Sequence, residues 1–234
     1  MLKKIPITKV IILAVIFLAY FLLSKNSLAQ TEAVETIIYD ISPFGTSEYR
    51  DFGAIEFLGT KTNLVIFETD VAGLGDTEVI YSAADTGLPL RVERDVNIWL
   101  HKENITEEYF PNEGKLTIIK FEAGKKTEEY FFESKKGPIH NAVLVPFSLR
   151  KIPNLEIGWT YDIRLPQEFK VKLISIEEVV VPAGKFKAYH FTSTPPKFEI
   201  WITSDALRIP VKIKGLESFP YTLSMKERKV KENK

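Results

Sequence analysis

The chain of 234 residues contains no cysteine. Disulfides, thiolate metal sites and lipidation of an N-terminal cysteine are therefore excluded. Histidine is scarce: His101, His140 and His190 are the three present, and no two stand at i, i+2 or i+4 spacing, so nothing in the pattern supports a metal centre. Gly-x-Ser-x-Gly is absent, and no serine sits in a context that marks a strained nucleophile elbow. Neither charge is in excess, with 31 basic and 31 acidic side chains, which leaves no electrostatic footprint for nucleic acid. A long apolar run is missing too. The longest, 10–23, has 14 residues, short of the roughly 18–20 that a spanning helix needs.

That short run lies in a recognisable address. Lys3, Lys4 and Lys9 precede it, and Ser27-Leu28-Ala29 follows with small residues where a signal peptidase reads. The pattern predicts a signal peptide over 1–29, cleaved after Ala29, and a periplasmic protein with no stable membrane anchor after cleavage. The alternative is an uncleaved inner-membrane anchor. Cleavage would remove four lysines and no acids, leaving 27 basic against 31 acidic side chains. The remaining 205 residues are enough to bury a core without staples, since a domain above about 150 residues buries roughly 70% of its unfolded surface.

From about residue 50 onward, stretches rich in Val, Ile, Phe, Tyr and Thr alternate with turn residues such as Gly73-Leu74-Gly75-Asp76, Asn112-Glu113-Gly114 and Pro182-Ala183-Gly184. Period-two patterning bounded by such turns predicts strands joined as antiparallel hairpins. Residues 30–50 are weakly patterned and read as a short strand or extended lead-in. In 168–181 the apolar parity changes between Leu173 and Ile174, which predicts a bulge and a bent strand. Pro210 cannot donate to a ladder, so it belongs at an edge, a bulge or a non-bonding site. One short helix is expected over 141–151. No linker or repeat divides 30–234, so the reading is a single all-β domain whose long curved antiparallel strands form a barrel or half-barrel.

The C-terminal half carries an ordered set of motifs. Ser148-Leu149-Arg150 closes the short helix, and Pro182-Ala183-Gly184-Lys185-Phe186 forms a hairpin. Ile200-Trp201-Ile202 and Arg208-Ile209-Pro210-Val211-Lys212-Ile213 follow. Over about 81–226 this series resembles the bacterial exported family known as domain of unknown function 3108. The resemblance implies an envelope protein with a β-barrel-like fold and no assigned activity.

Arg94 is the sharpest local clue. Leu90, Val92, Val96, Ile98 and Leu100 share one parity of a strand predicted over 90–101, and Arg94 falls among them. A cation on an apolar face needs a carboxylate, carbonyls, water or an anionic ligand, unless a bulge rotates it outward. His190 shares parity with Phe186 and Ala188, so it faces inward or caps a sheet rim. Arg94 and His190 are the two ligand-binding candidates. Trp99 and Trp201 fall on the polar faces of their strands, as a sticky patch for a lipid surface or partner would require. Glu107-Glu108, Glu128-Glu129 and Glu177-Glu178 point to opposite faces within each pair, so none is itself an acid/base dyad, and solvated faces are expected.

No catalytic set and no cofactor motif emerge. Gly73-Leu74-Gly75 lacks the third glycine and the helix of a dinucleotide loop. The sequence thus predicts an exported, non-enzymatic protein that binds an apolar or amphiphilic molecule, or an envelope protein partner, through a curved sheet. A structural or assembly factor with a side-chain-filled barrel is the alternative, and a hydrolase of envelope polymers ranks third. A void of roughly 300–1,000 Å³ would favour a ligand carrier.

Overall fold

The computed structural model describes residues 32–99, 101–216 and 220–231. Contacts divide the chain into 1–33 and 34–234, and the strands all belong to the second unit. The predicted signal peptide lies outside the described residues, among which no helix is long and apolar enough to cross a membrane.

Fourteen strands form one unclosed curved sheet, every neighbouring pair antiparallel. They are β1 (Glu35–Ser42), β2 (Thr46–Phe57), β3 (Thr60–Val71), β4 (Leu74–Ala83), β5 (Pro89–Ile98), β6 (His101–Phe110), β7 (Lys115–Glu122) and β8 (Lys125–Glu133). After α1 (Val145–Leu149), the one helix among the described residues, come β9 (Thr160–Leu165), β10 (Gln167–Val181), β11 (Gly184–Thr194), β12 (Phe198–Thr203), β13 (Pro210–Gly215) and β14 (Tyr221–Val230). The sheet order is β8 through β1, then β14 down to β9. Two meanders therefore meet at a seam where β1 pairs with β14, Glu35 opposite Val230 and Ile41 opposite Leu223.

Of the two readings of 30–50, the short strand is what the structure shows: β1, and it is a central strand of the sheet. Ile37, Tyr39 and Ile41 alternate as buried residues. A correction concerns 90–101, which is not one strand. Ile98 pairs with His101, and Trp99, at φ +53°, begins the reversal. The parity change after Leu173 is a register shift between Leu173 and Ser175 against β11. Pro210 stands at another, opposite Ile202, so β13 keeps a central place in spite of its proline. Such irregularities bend strands and add twist, which is how a long sheet curls.

The helix is shorter than 141–151. Asn141 Oδ1 accepts the Val143 and Leu144 N–H groups at 3.0 and 3.3 Å, and Pro146 sits in the first turn, where no intrahelical donor is lost. The helix packs into the sheet on two sides. Phe147 stacks on Tyr49 with ring centroids 3.6 Å apart, in a cluster with Ile37, Ile80 and Val92. Val145 and Leu149 enter a second cluster with Phe169, Leu173 and Phe191. Burying a side chain such as Phe147 stabilises the fold by roughly 2–3 kcal/mol. At the β9 edge, Arg164 is occupied on both backbone groups. Its N–H donates to His140 Nδ1 at 3.3 Å, and its carbonyl accepts the His140 N–H at 2.7 Å. The β8 edge is exposed along most of its length and carries Lys125 and Lys126, the kind of charge that discourages edge pairing.

Glu35 clamps the seam. Its carboxylate accepts Arg150 Nη1 at 2.6 Å and Arg228 Nε at 2.6 Å, tying β1 to the end of α1 and to β14. Burial opposes its ionisation, but the hydrogen bonds and charges of Arg150 and then Arg228 hold it below the usual carboxylate range. A depressed carboxylate stabilises above its unfolded value of 4.5 and loses that contribution as pH falls through the folded value. Glu35→Gln should lower stability at pH 7 by about 3 kcal/mol, as when one partner of a buried pair is removed. Urea titrations should show the gap to wild type closing at pH 3. Independently, Gly184 closes the Val181–Gly184 hairpin at φ +134°. Gly184→Val should therefore reduce Tm by several degrees, because a β-branched residue is strained there whatever the space. An unchanged Tm would remove strain from the account.

Candidate functional site

Arg94 shares a face with Val92 on β5 and lies directly opposite Glu78 of β4 and Ile105 of β6. Its Nε donates to Asp76 Oδ1 at 2.7 Å, its Nη2 donates to Asp76 Oδ2, and Glu78 lies 3.8 Å away. An internal carboxylate therefore fills the guanidinium fork, in the two-oxygen geometry that suits arginine. Glu107 stands on the same face opposite Val92 and accepts the Tyr109 hydroxyl. The solvated reading of Glu107 is corrected here: β6 aims it at the interior while Glu108 turns outward to Arg91.

Three carboxylates thus surround one guanidinium. Burial pushes the Glu78 carboxyl up to about 7; Arg94 pulls it down, Asp76 and Glu107 push it up, and a hydrogen bond from Asn141 pulls it down. Glu107 is also raised, chiefly by burial, against the Tyr109 hydrogen bond and Arg94. Asn141, at the entry to α1, bonds Tyr109 as well, so this polar group pins the helix-bearing connection to β4 and β6.

His190 sits in a separate cluster on β11. Its ring stacks on Trp201 at 4.1 Å, with Nδ1 3.3 Å from Glu177 Oε1 and Nε2 3.4 Å from Glu199 Oε2. The Trp201 indole N–H donates to Glu177 at 2.8 Å and, as the leading influence, holds that carboxyl below its usual range. Lys212 Nζ lies 4.8 Å over the indole. Trp201 was expected to face outward, and that is corrected: it is 5% exposed. Both faces of β12 are buried because the β10–β11 hairpin reaches across to β14, where Ala183 N–H donates to Met225 O at 2.9 Å. Val179 and Val181 then join Trp201 in one cluster. Trp99, by contrast, is 79% exposed, on a turn rather than on a strand face. The Arg94 and His190 clusters share no contact residue, so the structure does not bring the two candidates together.

Two adjoining crevices flank α1 and share Gly87, Leu144, Ser148 and Lys151 on their walls. The first, about 160 Å³, is largely apolar, with Leu88, Pro89, Val145, Leu149, Ile152 and Ile163. The second, about 250 Å³, is mixed, with Asp51, Asn63, Ser82 and Arg150 beside Tyr49, Val65 and Phe147. Apolar room beside a mixed crevice with polar and basic groups can take a small amphiphile. Sequence reasoning missed this place because its walls come from β2, β3, the 84–88 turn and the helix. Only the Ser148-Leu149-Arg150 motif, all three of whose residues line the crevices, was singled out in the sequence.

The Glu78 environment generates a pH test. A carboxyl raised from 4.5 to about 7 on folding stabilises fully below pH 4.5 and loses that contribution as pH rises through 7. Wild-type stability should decline between pH 5 and 8. Glu78→Gln should flatten that decline and raise stability at pH 8 by about 3 kcal/mol, at 1.36 kcal/mol per pH unit. Parallel slopes for the two proteins in denaturant titrations would refute the assignment.

No family model matches the chain, and no curated protein matches it. Among solved structures it is similar to the crystal structure of a β-barrel-like protein of Domain of Unknown Function DUF1849 from Brucella abortus, with a TM-score of 0.52 and 10% identity over 86% of this chain and 99% of that one. At that identity the likeness shows the fold alone, a β-barrel-like architecture.

Proposed function

We propose that this chain is an exported envelope protein, akin to the domain of unknown function 3108 family, that binds a small apolar or amphiphilic ligand without catalysis. The observation that carries this reading is the pair of adjoining crevices beside α1, one largely apolar and one mixed, with Asp51, Asn63 and Arg150 on its wall. Export rests on the basic start, the short apolar run and the Ser-Leu-Ala boundary. We place the ligand beside α1 rather than at Arg94 or His190. Asp76 already takes the Arg94 fork, and Glu177 and Glu199 flank both nitrogens of His190.

The volumes favour a second reading as well. Each crevice is smaller than the roughly 300 Å³ at which ligand pockets usually begin, as in a structural factor whose sheet is filled by its own side chains. Native mass spectrometry of protein purified from its own envelope fraction separates the two. A ligand carrier should show an added mass that disappears in Val145→Trp, which fills the apolar crevice. A bare chain mass in the wild type would reject the carrier and leave the filled structural factor.

A further inference from the structure

The apolar crevice beside α1 carries charge at one place. Of the side chains that line it, Lys151 alone is charged. His140, on the same wall, is neutral at pH 7, because burial and then the Arg164 charge hold its imidazole below the usual range. Lys151 and Gly87 line both crevices, and a Cβ built on Gly87 would lie 3.5 Å from Lys151 Nζ. The ammonium therefore stands over the 84–88 turn, at the rim that the two crevices share.

That ammonium forms no ion pair among the described residues. Arg150, next to it in the chain, is taken: its Nη1 and Nη2 donate to Glu35 at 2.6 and 3.2 Å. Asp51 feels Lys151 only at longer range, accepts the Gly53 N–H at 2.7 Å, and lines the second crevice but not the first. An anion held from the first crevice thus meets the ammonium without meeting that carboxylate. Asp85, beside the wall, accepts the Thr86 N–H at 2.8 Å. Most uncharged polar groups of the first wall are committed too. Ser148 Oγ donates to the Leu144 carbonyl at 3.0 Å, Thr86 Oγ1 accepts the Leu88 N–H at 3.3 Å, and Asn141 Oδ1 accepts the Val143 N–H at 3.0 Å.

We propose that this crevice takes a short-chain monocarboxylate, its hydrocarbon end against Val145, Leu149 and Ile163 and its carboxylate on Lys151 Nζ. The proposal rests on the reading of the α1 crevices as a ligand site and names the class of ligand. An unpaired cation at the mouth of an apolar site favours an anion, since the pair forms beside low-dielectric walls that screen it less than water does. The anion is singly charged. Lysine offers a point charge, and the arginine fork that would clamp a phosphate through two oxygens is occupied by Glu35. Volume sets the length. The crevice holds about 160 Å³, and an apolar cavity of about 150 Å³ takes benzene, so a hydrocarbon group of about six carbons fits.

Hexanoate, hexanol and hexylamine share one chain and differ in charge. Methyl NMR spectra of the isotope-labelled full chain, followed at Val145, Leu149 and Ile163, report this crevice and not uptake by the apolar run at 10–23. Hexanoate should shift these methyls saturably, with hexanol about tenfold weaker, as for one lost charge-assisted hydrogen bond, and hexylamine weaker still. Lys151→Gln should bring hexanoate level with hexanol, and Lys151→Arg should largely restore it. Lys151 is exposed, so both variants should fold. Hexanol or hexylamine binding as tightly as hexanoate, or no effect of Lys151→Gln, overturns the monocarboxylate and leaves an amphiphile carrier standing. Unmoved methyls with all three probes overturn it as well. The native mass of the wild type then decides the carrier: an added mass lost in Val145→Trp keeps it, and a bare chain ends it.

Discussion

Everything in this sheet depends on the pairing of β1 with β14. The two strands are nearly two hundred residues apart in sequence, yet they occupy the centre of the sheet. Without that seam there would be two separate meanders, each with a further open edge. The loop-closure entropy of so long a separation must be offset by what the seam brings together. Glu35 is the charged part of that offset. It joins β1 to β14 through Arg228 and to the end of α1 through Arg150, so strand pairing and helix docking are one event.

The connection between β8 and β9 gains its position from polar groups rather than from helical length. A helix of five residues has little stability of its own, since nucleation is unfavourable and propagation brief. It holds its place because its ends are fastened. Asn141 contacts Glu78 and Tyr109, His140 occupies the backbone of Arg164, Arg150 meets Glu35, and Arg208 reaches the Ile152 carbonyl. Between those ends, Phe147 and Leu149 fill the interior. The crevices beside α1 are what remains once that filling is done, which explains why they are small and lie next to it.

Much of the local structure was legible. Period-two alternation exposed most strands from residue 53 onward, the parity change at Leu173 marked a bulge, and Pro182-Ala183-Gly184 marked a hairpin. The inward placing of Arg94 followed from its parity with Val92. Its partner did not, because Asp76 lies on another strand and reads in sequence as the end of a glycine turn. Trp201 was misplaced for a related reason: alternation identifies one buried face and says nothing about a second covering layer. The place of β1 was less legible, because Ile38 stands between Ile37 and Tyr39 and blurs the alternation of the buried face.

Composition and periodicity alone determined that this is an all-β chain without disulfides and with a short helical interruption. Those properties are local: side-chain alternation, turn chemistry and the absence of thiols do not depend on distant residues. Only the tertiary structure decided that β1 is central, that Asp76 takes Arg94, and that Trp201 is covered. Each of those depends on register between strands far apart in sequence. Register is fixed by the packing of whole faces at once, and no short window of sequence contains it.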